Sequence, residues 1–151
     1  KPQPKFIAAD ISVPALTLAR HNAKLHGTKI NFIKSDLLNN LKSCPDWIIA
    51  NLPYLAPADL SKKLIKTDSV LSLGFEPRRA LFADSTDGLA AFKKLFSQIK
   101  KRGQCPQKLY LEFHPPHQAQ LRKIIKQFFP KANIVTLADY SGQQRFLTIN
   151  F

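Results

Sequence analysis

The sharpest chemical signal in the sequence is the tetrapeptide Asn51-Leu52-Pro53-Tyr54, which directly follows an apolar run. Pro53 restricts the backbone, so the Asn51 side chain and the neighbouring carbonyl can both face a crevice at the end of a strand. These two acceptors could hold one NH2 group with its lone pair turned toward an electrophile, and the Tyr54 ring could stack on a planar group. The tetrapeptide favours methyl transfer to nitrogen; an ordinary Asn-x-Pro turn is the alternative.

Acidic residues end three other apolar runs. Asp10 ends the first, where a carboxylate can accept hydrogen bonds from the hydroxyls of a ribose. Asp36 follows the second and could accept an amino group of adenine. Each residue also has an ordinary explanation, a helix cap for Asp10 and an Asx turn for Asp36. Glu112 ends a later run and belongs to the same set of strand-end residues, without an assigned role.

Alternating apolar runs and helical stripes predict the elements that position these residues. A long loop is expected at 52–84, with at most a short helix at 59–65. The first strand is expected to be buried, and the last two strands to pair antiparallel across a turn-rich segment. The order predicts an α/β sandwich with parallel first strands, in which ligands bind at the carboxyl ends of the strands. The strands are predicted at 5–10, 29–34, 46–51, 108–113, 134–138 and 146–151, and the helices at 15–26, 88–101 and 118–129.

Composition narrows the class of protein. The 151 residues are 44% hydrophobic and 22% charged, which is typical of one globular domain. The sequence lacks an apolar run of about 20 residues and a signal-like start, so we expect no membrane partner and a cytoplasmic location. Two distant cysteines and the His114-Pro-Pro-His117 turn predict no metal site. A net charge of +13 suggests anionic partners or a solvated surface.

Several short motifs occur in a fixed order along nearly the whole chain. They are Ala-Asp-Ile-Ser-Val-Pro-Ala-Leu-Thr-Leu-Ala-Arg-His-Asn-Ala at 9–23, Ser-Asp-Leu-Leu at 35–38, Asp-Trp-Ile-Ile-Ala-Asn-Leu-Pro-Tyr-Leu at 46–55, Phe-Glu-Pro-Arg-Arg-Ala-Leu at 75–81, Asp-Gly-Leu at 87–89, Leu-Tyr-Leu-Glu-Phe at 109–113 and Asp-Tyr-Ser-Gly-Gln-Gln-Arg at 139–145. In this order they resemble the HemK/PrmC family, S-adenosylmethionine-dependent protein-(glutamine-N5) methyltransferases that modify peptide chain release factors.

The resemblance implies a Rossmann-like class I methyltransferase fold with an antiparallel C-terminal hairpin, and S-adenosyl-L-methionine as cofactor. The implied substrate is a glutamine in the Gly-Gly-Gln loop of a release factor, methylated by direct displacement without a metal. The implied cofactor-binding residues are Asp10, Ile11, Asp36, Leu37 and Asn51. The implied substrate-binding residues are Asn51, Leu52, Pro53, Tyr54 and Glu76, with Asn51, Pro53 and Tyr54 as the catalytic ones.

Two departures from the family pattern keep alternatives open. Leu52 stands where the family usually has Pro, and the same tetrad resembles rRNA adenine dimethyltransferases, so an RNA or DNA amino methyltransferase is the first alternative. The family's first strand and Gly-rich loop are expected before Lys1. We therefore expect residues 1–151 to be an N-terminally truncated methyltransferase domain that by itself binds cofactor weakly or not at all and is inactive, or else a non-catalytic binding remnant. Basic residues of the long loop, Lys62, Arg78 and Arg79, are expected to meet an acidic or RNA partner surface, such as the ribosome.

Overall fold

The computed structural model describes residues 3–55, 77–81 and 86–151, and contacts divide the chain into two compact units, Lys1–Cys44 and Pro45–Phe151. The element order confirms the predicted succession of strands and long helices, and the short helix predicted at 59–65 lies outside the described residues. The prediction that the loop 52–84 holds at most that one helix is wrong, because Arg78–Leu81 form a short helix in which the Ala80 N–H donates to the Pro77 carbonyl at 2.8 Å. None of the described helices has both the length and the apolar character needed to cross a bilayer. The elements are β1 Phe6–Asp10, α1 Val13–Leu25, β2 Ile30–Lys34, β3 Trp47–Asn51, α2 Arg78–Leu81, α3 Ala90–Lys101, β4 Lys108–Glu112, a 3-10 helix Pro115–His117, α4 Gln118–Phe128, β5 Asn133–Ala138 and β6 Gln144–Asn150.

The first unit contains β1, α1 and β2, with the two strands parallel. Helix α1 begins at Ser12, whose hydroxyl accepts a hydrogen bond from the Ala15 N–H at 3.3 Å, and Gly27 follows its end with φ +61°. The prediction of a buried first strand is wrong, because Phe6 is 61% exposed. A single helix, the only one in the described part of this unit, covers too little of a two-stranded sheet to bury it.

The second unit holds a four-stranded sheet in the order β3-β4-β6-β5. Strands β3 and β4 are parallel, and β6 is antiparallel to both β4 and β5, which confirms the predicted C-terminal hairpin. Apolar residues at helical spacing line α3 and α4, while alternate residues of β4 and β6 point into the core. On β3, Ile48 is buried in this core, whereas the next residue, Ile49, lies on the other face of the strand and is 82% exposed. The core residues of these four elements are Phe92, Leu95, Phe96, Ile99, Leu109, Leu111, Leu121, Ile125, Leu147 and Ile149.

Candidate active site

Asn51 is the last residue of β3 and pairs in register with Glu112 of the neighbouring β4. Its side chain is exposed, and within the described residues its carboxamide makes no hydrogen bond. The chain then turns into the protein, because Leu52 and Leu55 are buried and the Leu55 N–H donates to the Leu81 carbonyl at 3.0 Å. A fixed backbone thus presents a free amide group to the solvent at the end of the sheet.

Tyr54 is half-buried beside this amide group. Its hydroxyl donates to Oε1 of Glu112 at 3.2 Å, and its ring lies parallel to that of His114, with centroids 6.4 Å apart. Burial raises the pKa of the Tyr54 phenol, and the charge of Glu112 raises it further. The phenol therefore remains a protonated donor at neutral pH. Glu112 was not assigned to a site from the sequence; its only signal was its place at a strand end.

Asp10 is exposed at the carboxyl end of β1. Its Oδ1 accepts the Ser12 N–H at 2.7 Å, and its backbone carbonyl accepts the Ser35 N–H at 2.9 Å. Within the described residues, Oδ2 has no hydrogen-bond partner. One carboxylate oxygen thus fixes the turn into α1, and the other is available to a hydroxyl group. The next residue, Ile11, is also exposed.

The turn after β2 carries Asp36 and Leu37, both half-buried. Buried Ser35 accepts the Asn40 N–H at 3.0 Å, and the Asn40 side-chain amide donates to the Lys34 carbonyl at 2.7 Å. Leu37 has φ 55°, a left-handed conformation that is uncommon for a residue with a branched side chain. Such a conformation persists where neighbouring bonds enforce it, so this turn has a defined shape.

The implied site residues are divided between the two units. The residues assigned to the ribose and the adenine belong to the first unit; they are Asp10, Ile11, Asp36 and Leu37. The tetrapeptide Asn51-Leu52-Pro53-Tyr54 belongs to the second unit. Glu76 and Lys62 lie outside the described residues, as do the side chains of Arg78 and Arg79. His114 precedes the 3-10 helix and His117 is its last residue. The described residues contain no cluster of three or more His, Cys, Asp or Glu able to hold a metal ion.

Comparison with known proteins finds methyltransferases among family models, curated proteins and solved structures. The family described as "Methyltransferase small domain" matches residues 1–69. The release factor glutamine methyltransferase of Streptococcus pneumoniae is 32% identical over 150 residues, which cover 99% of this chain and 52% of that protein. The release factor glutamine methyltransferase of Lactococcus lactis is 31% identical over 142 residues, which cover 94% of this chain and 50% of that protein.

Over nearly its whole length, the chain is similar to release factor glutamine methyltransferases. It spans about half the length of the curated relatives it matches. Among solved structures, a ribosomal protein L11 methylase from Lactobacillus delbrueckii subsp. bulgaricus aligns with a TM-score of 0.61 at 16% identity, covering 97% of this chain and 57% of that one. This likeness confirms the predicted class I methyltransferase fold, and the sequence resemblance to HemK/PrmC proteins is confirmed by the relatives.

Proposed function

We propose that this chain forms the catalytic part of an S-adenosylmethionine-dependent methyltransferase, which modifies the side-chain amide of a glutamine in the Gly-Gly-Gln loop of a peptide chain release factor. The observation that carries the proposal is the exposed, unpartnered carboxamide of Asn51 at the end of β3, within the described part of the chain. The choice of substrate is supported by the similar proteins of Streptococcus pneumoniae and Lactococcus lactis, which are named release factor glutamine methyltransferases.

An amide nitrogen is a poor nucleophile because its lone pair is delocalised into the carbonyl group. The Asn51 carboxamide oxygen and the Leu52 backbone carbonyl would accept the two N–H groups of the substrate amide, which turns the lone pair away from both residues. During methyl transfer positive charge would develop on the substrate nitrogen, so both acceptors would bind its N–H groups more strongly. One N–H proton would then pass to solvent water, which restores a neutral amide. Tyr54 would pack on the plane of the amide, so orientation contributes most of the catalysis.

The residues of the first unit fit S-adenosylmethionine. Asp10 offers one carboxylate oxygen that no other described residue uses, which suits the hydroxyl groups of a ribose, and exposed Ile11 could contact an apolar face. Asp36 and Leu37 lie on a turn of defined shape and would border the adenine. When bound, this cofactor supplies a methyl carbon activated by its sulfonium group.

The experiment offers methyl-labelled S-adenosylmethionine and the full-length protein to three acceptors: a release factor, the same factor with its loop glutamine changed to alanine, and ribosomal RNA. We expect one methyl group on the loop glutamine, located by tandem mass spectrometry, and none on the alanine variant or the RNA. Methylation that persists in the alanine variant would contradict the glutamine assignment. Absence of any transfer would favour a binding module instead.

A second candidate, an RNA amino methyltransferase, is favoured by the charge of the second unit. Between Gly88 and Ala138, Glu112 is the single acidic residue of the sequence, and the helices α3 and α4 contain lysines without any acid. Such a surface would attract phosphates. Leu52 is also compatible with this candidate. If the methylation experiment put label on the RNA and none on the release factor, the result would support the RNA amino methyltransferase.

A further inference from the structure

Tyr54 is fixed from three directions. Its hydroxyl donates to Glu112, and its ring lies parallel to His114 with an interplanar angle of 1°. On the third side its backbone oxygen lies against Gly88, where an added Cβ would collide with that oxygen and come within 2.9 Å of His117 Cε1. Gly88 has φ +65°, so both its conformation and its lack of a side chain allow this approach.

Glu112 is in turn held by the C-terminal hairpin. The Phe113 N–H, next along the chain, donates to the Arg145 carbonyl at 2.9 Å, which brings the start of β6 beside Glu112. The Arg145 guanidinium interacts electrostatically with both Glu112 and Tyr54. A guanidinium that interacts with both an acid and a phenol favours one arrangement of all three, because the alternatives leave a partly buried charge less well paired.

Asp139 fixes Arg145 from the other end of the hairpin turn. Its Oδ2 accepts Arg145 Nε at 2.9 Å, and its Oδ1 accepts the Ser141 N–H at 2.9 Å, the Ser141 hydroxyl at 2.7 Å and the Gln143 N–H at 3.0 Å. These bonds, led by that of the Ser141 hydroxyl, lower the pKa of Asp139 to about 2. The carboxylate is therefore charged throughout the neutral range and uses both oxygens.

We infer that Glu112, Arg145 and Asp139 are positioning residues for Tyr54, so that the C-terminal hairpin controls how the amide site beside Asn51 is oriented. We call these four side chains the tyrosine network. The inference rests on the proposed function, because Tyr54 lies three residues after Asn51 and would contact the same substrate amide. In this inference the other three residues act on the substrate amide only through Tyr54. If a residue only stabilised the hairpin, the effect of its substitution on kcat would not depend on the Tyr54 hydroxyl.

A double-mutant cycle in the full-length protein tests this dependence, using Glu112→Gln, Arg145→Gln and Tyr54→Phe. We expect Glu112→Gln and Arg145→Gln each to lower kcat about tenfold while the KM for cofactor stays within about twofold. In the Tyr54→Phe background each should change kcat by less than about twofold, since the hydroxyl they orient is gone. Effects that simply multiply in the double variants would overturn the inference.

A second measurement needs no activity. Tyrosines carrying 13C at Cζ allow the phenol of Tyr54 to be titrated by NMR, with exposed Tyr140 as the internal control. Because the Glu112 charge raises the pKa of Tyr54 and the Arg145 charge lowers it, Glu112→Gln should shift the titration downward and Arg145→Gln upward. Shifts of the same sign would contradict the network. If wild-type protein methylates no release factor but the two shifts have opposite signs, the proposed function fails and the network stands.

Discussion

The two units differ in how much of their apolar surface they bury, and this difference matches the roles proposed for them. In the second unit, Phe92 and Phe96 of α3 and Leu121 and Ile125 of α4 have no exposed surface. In the first unit, α1 contributes one buried residue, Leu16, and Phe6 stays largely exposed. The residues proposed to orient the substrate amide therefore stand on a packed core. Those proposed to hold the cofactor stand on a smaller core, in which Leu16, Leu38 and Leu41 are the buried apolar residues of the described part of that unit.

The largest expected effect concerns stability. Phe96→Ala should lower the free energy of unfolding by about 3–5 kcal/mol, since it opens a cavity in the core. Phe6→Ala in the first unit should cost less than about 1 kcal/mol, because its ring is already mostly solvated. Urea unfolding followed by circular dichroism measures both. Equal losses from the two variants would show that the first unit is as well packed as the second.

The second-largest expected effect on stability comes from substituting Gly88, and a matched substitution of Gly103 separates the contact with Tyr54 from backbone strain. Gly88→Ala should cost about 2–3 kcal/mol, because the new methyl group meets the Tyr54 backbone in addition to the strain of a positive φ. Gly103 is the matched control: its φ is +66°, and nothing lies within 4 Å of its Cβ position. Gly103→Ala should therefore cost only about 1 kcal/mol. Equal losses of unfolding free energy in the two variants would mean that Gly88 makes no close contact with the Tyr54 backbone.

A third prediction separates the two units by function. Asp10→Asn should weaken S-adenosylmethionine binding by about tenfold to a hundredfold, since a charge-assisted hydrogen bond to the cofactor becomes a neutral one. The rate at saturating cofactor should change little. Asp46→Asn, an exposed acid just before β3, is the control and should leave both quantities unchanged. Isothermal titration calorimetry on the full-length protein gives the affinity, and a lower saturated rate would assign Asp10 a different role.

The smallest effect is the response of the hairpin turn to acid. The folded pKa of Asp139, about 2, lies below its value in an unfolded chain, so the carboxylate contributes stability that is present above about pH 4 and is lost as pH falls toward 2. NMR shifts of the Ser141 and Gln143 amides, which donate to this carboxylate, should titrate with a midpoint near the folded value. Asp139→Asn should abolish that titration. A midpoint near 4 would mean that the turn is not held by Asp139.

Much of this architecture follows from local sequence patterns, and the parts that do not follow depend on distant contacts. The strand ending at Asn51 and the helix that follows the first strand were predictable, because an apolar run and a helical stripe are local patterns. The exposure of Phe6 was not predictable, because the pattern of apolar residues in a strand does not show which other elements cover that strand. The link from Tyr54 to Arg145 depends on the neighbouring strands β4 and β6, whose order in the sheet no short motif encodes.

The central claim is that Asn51 acts on the substrate amide rather than on folding or cofactor binding. In the full-length protein, Asn51→Ala should lower kcat about a thousandfold while cofactor affinity stays within about threefold, because its exposed side chain would engage the substrate most strongly in the transition state. Asn31→Ala, an exposed asparagine on β2, is the matched control and should leave both unchanged. Retained turnover in Asn51→Ala, or a loss of cofactor affinity that accounts for the slower rate, would contradict the claim.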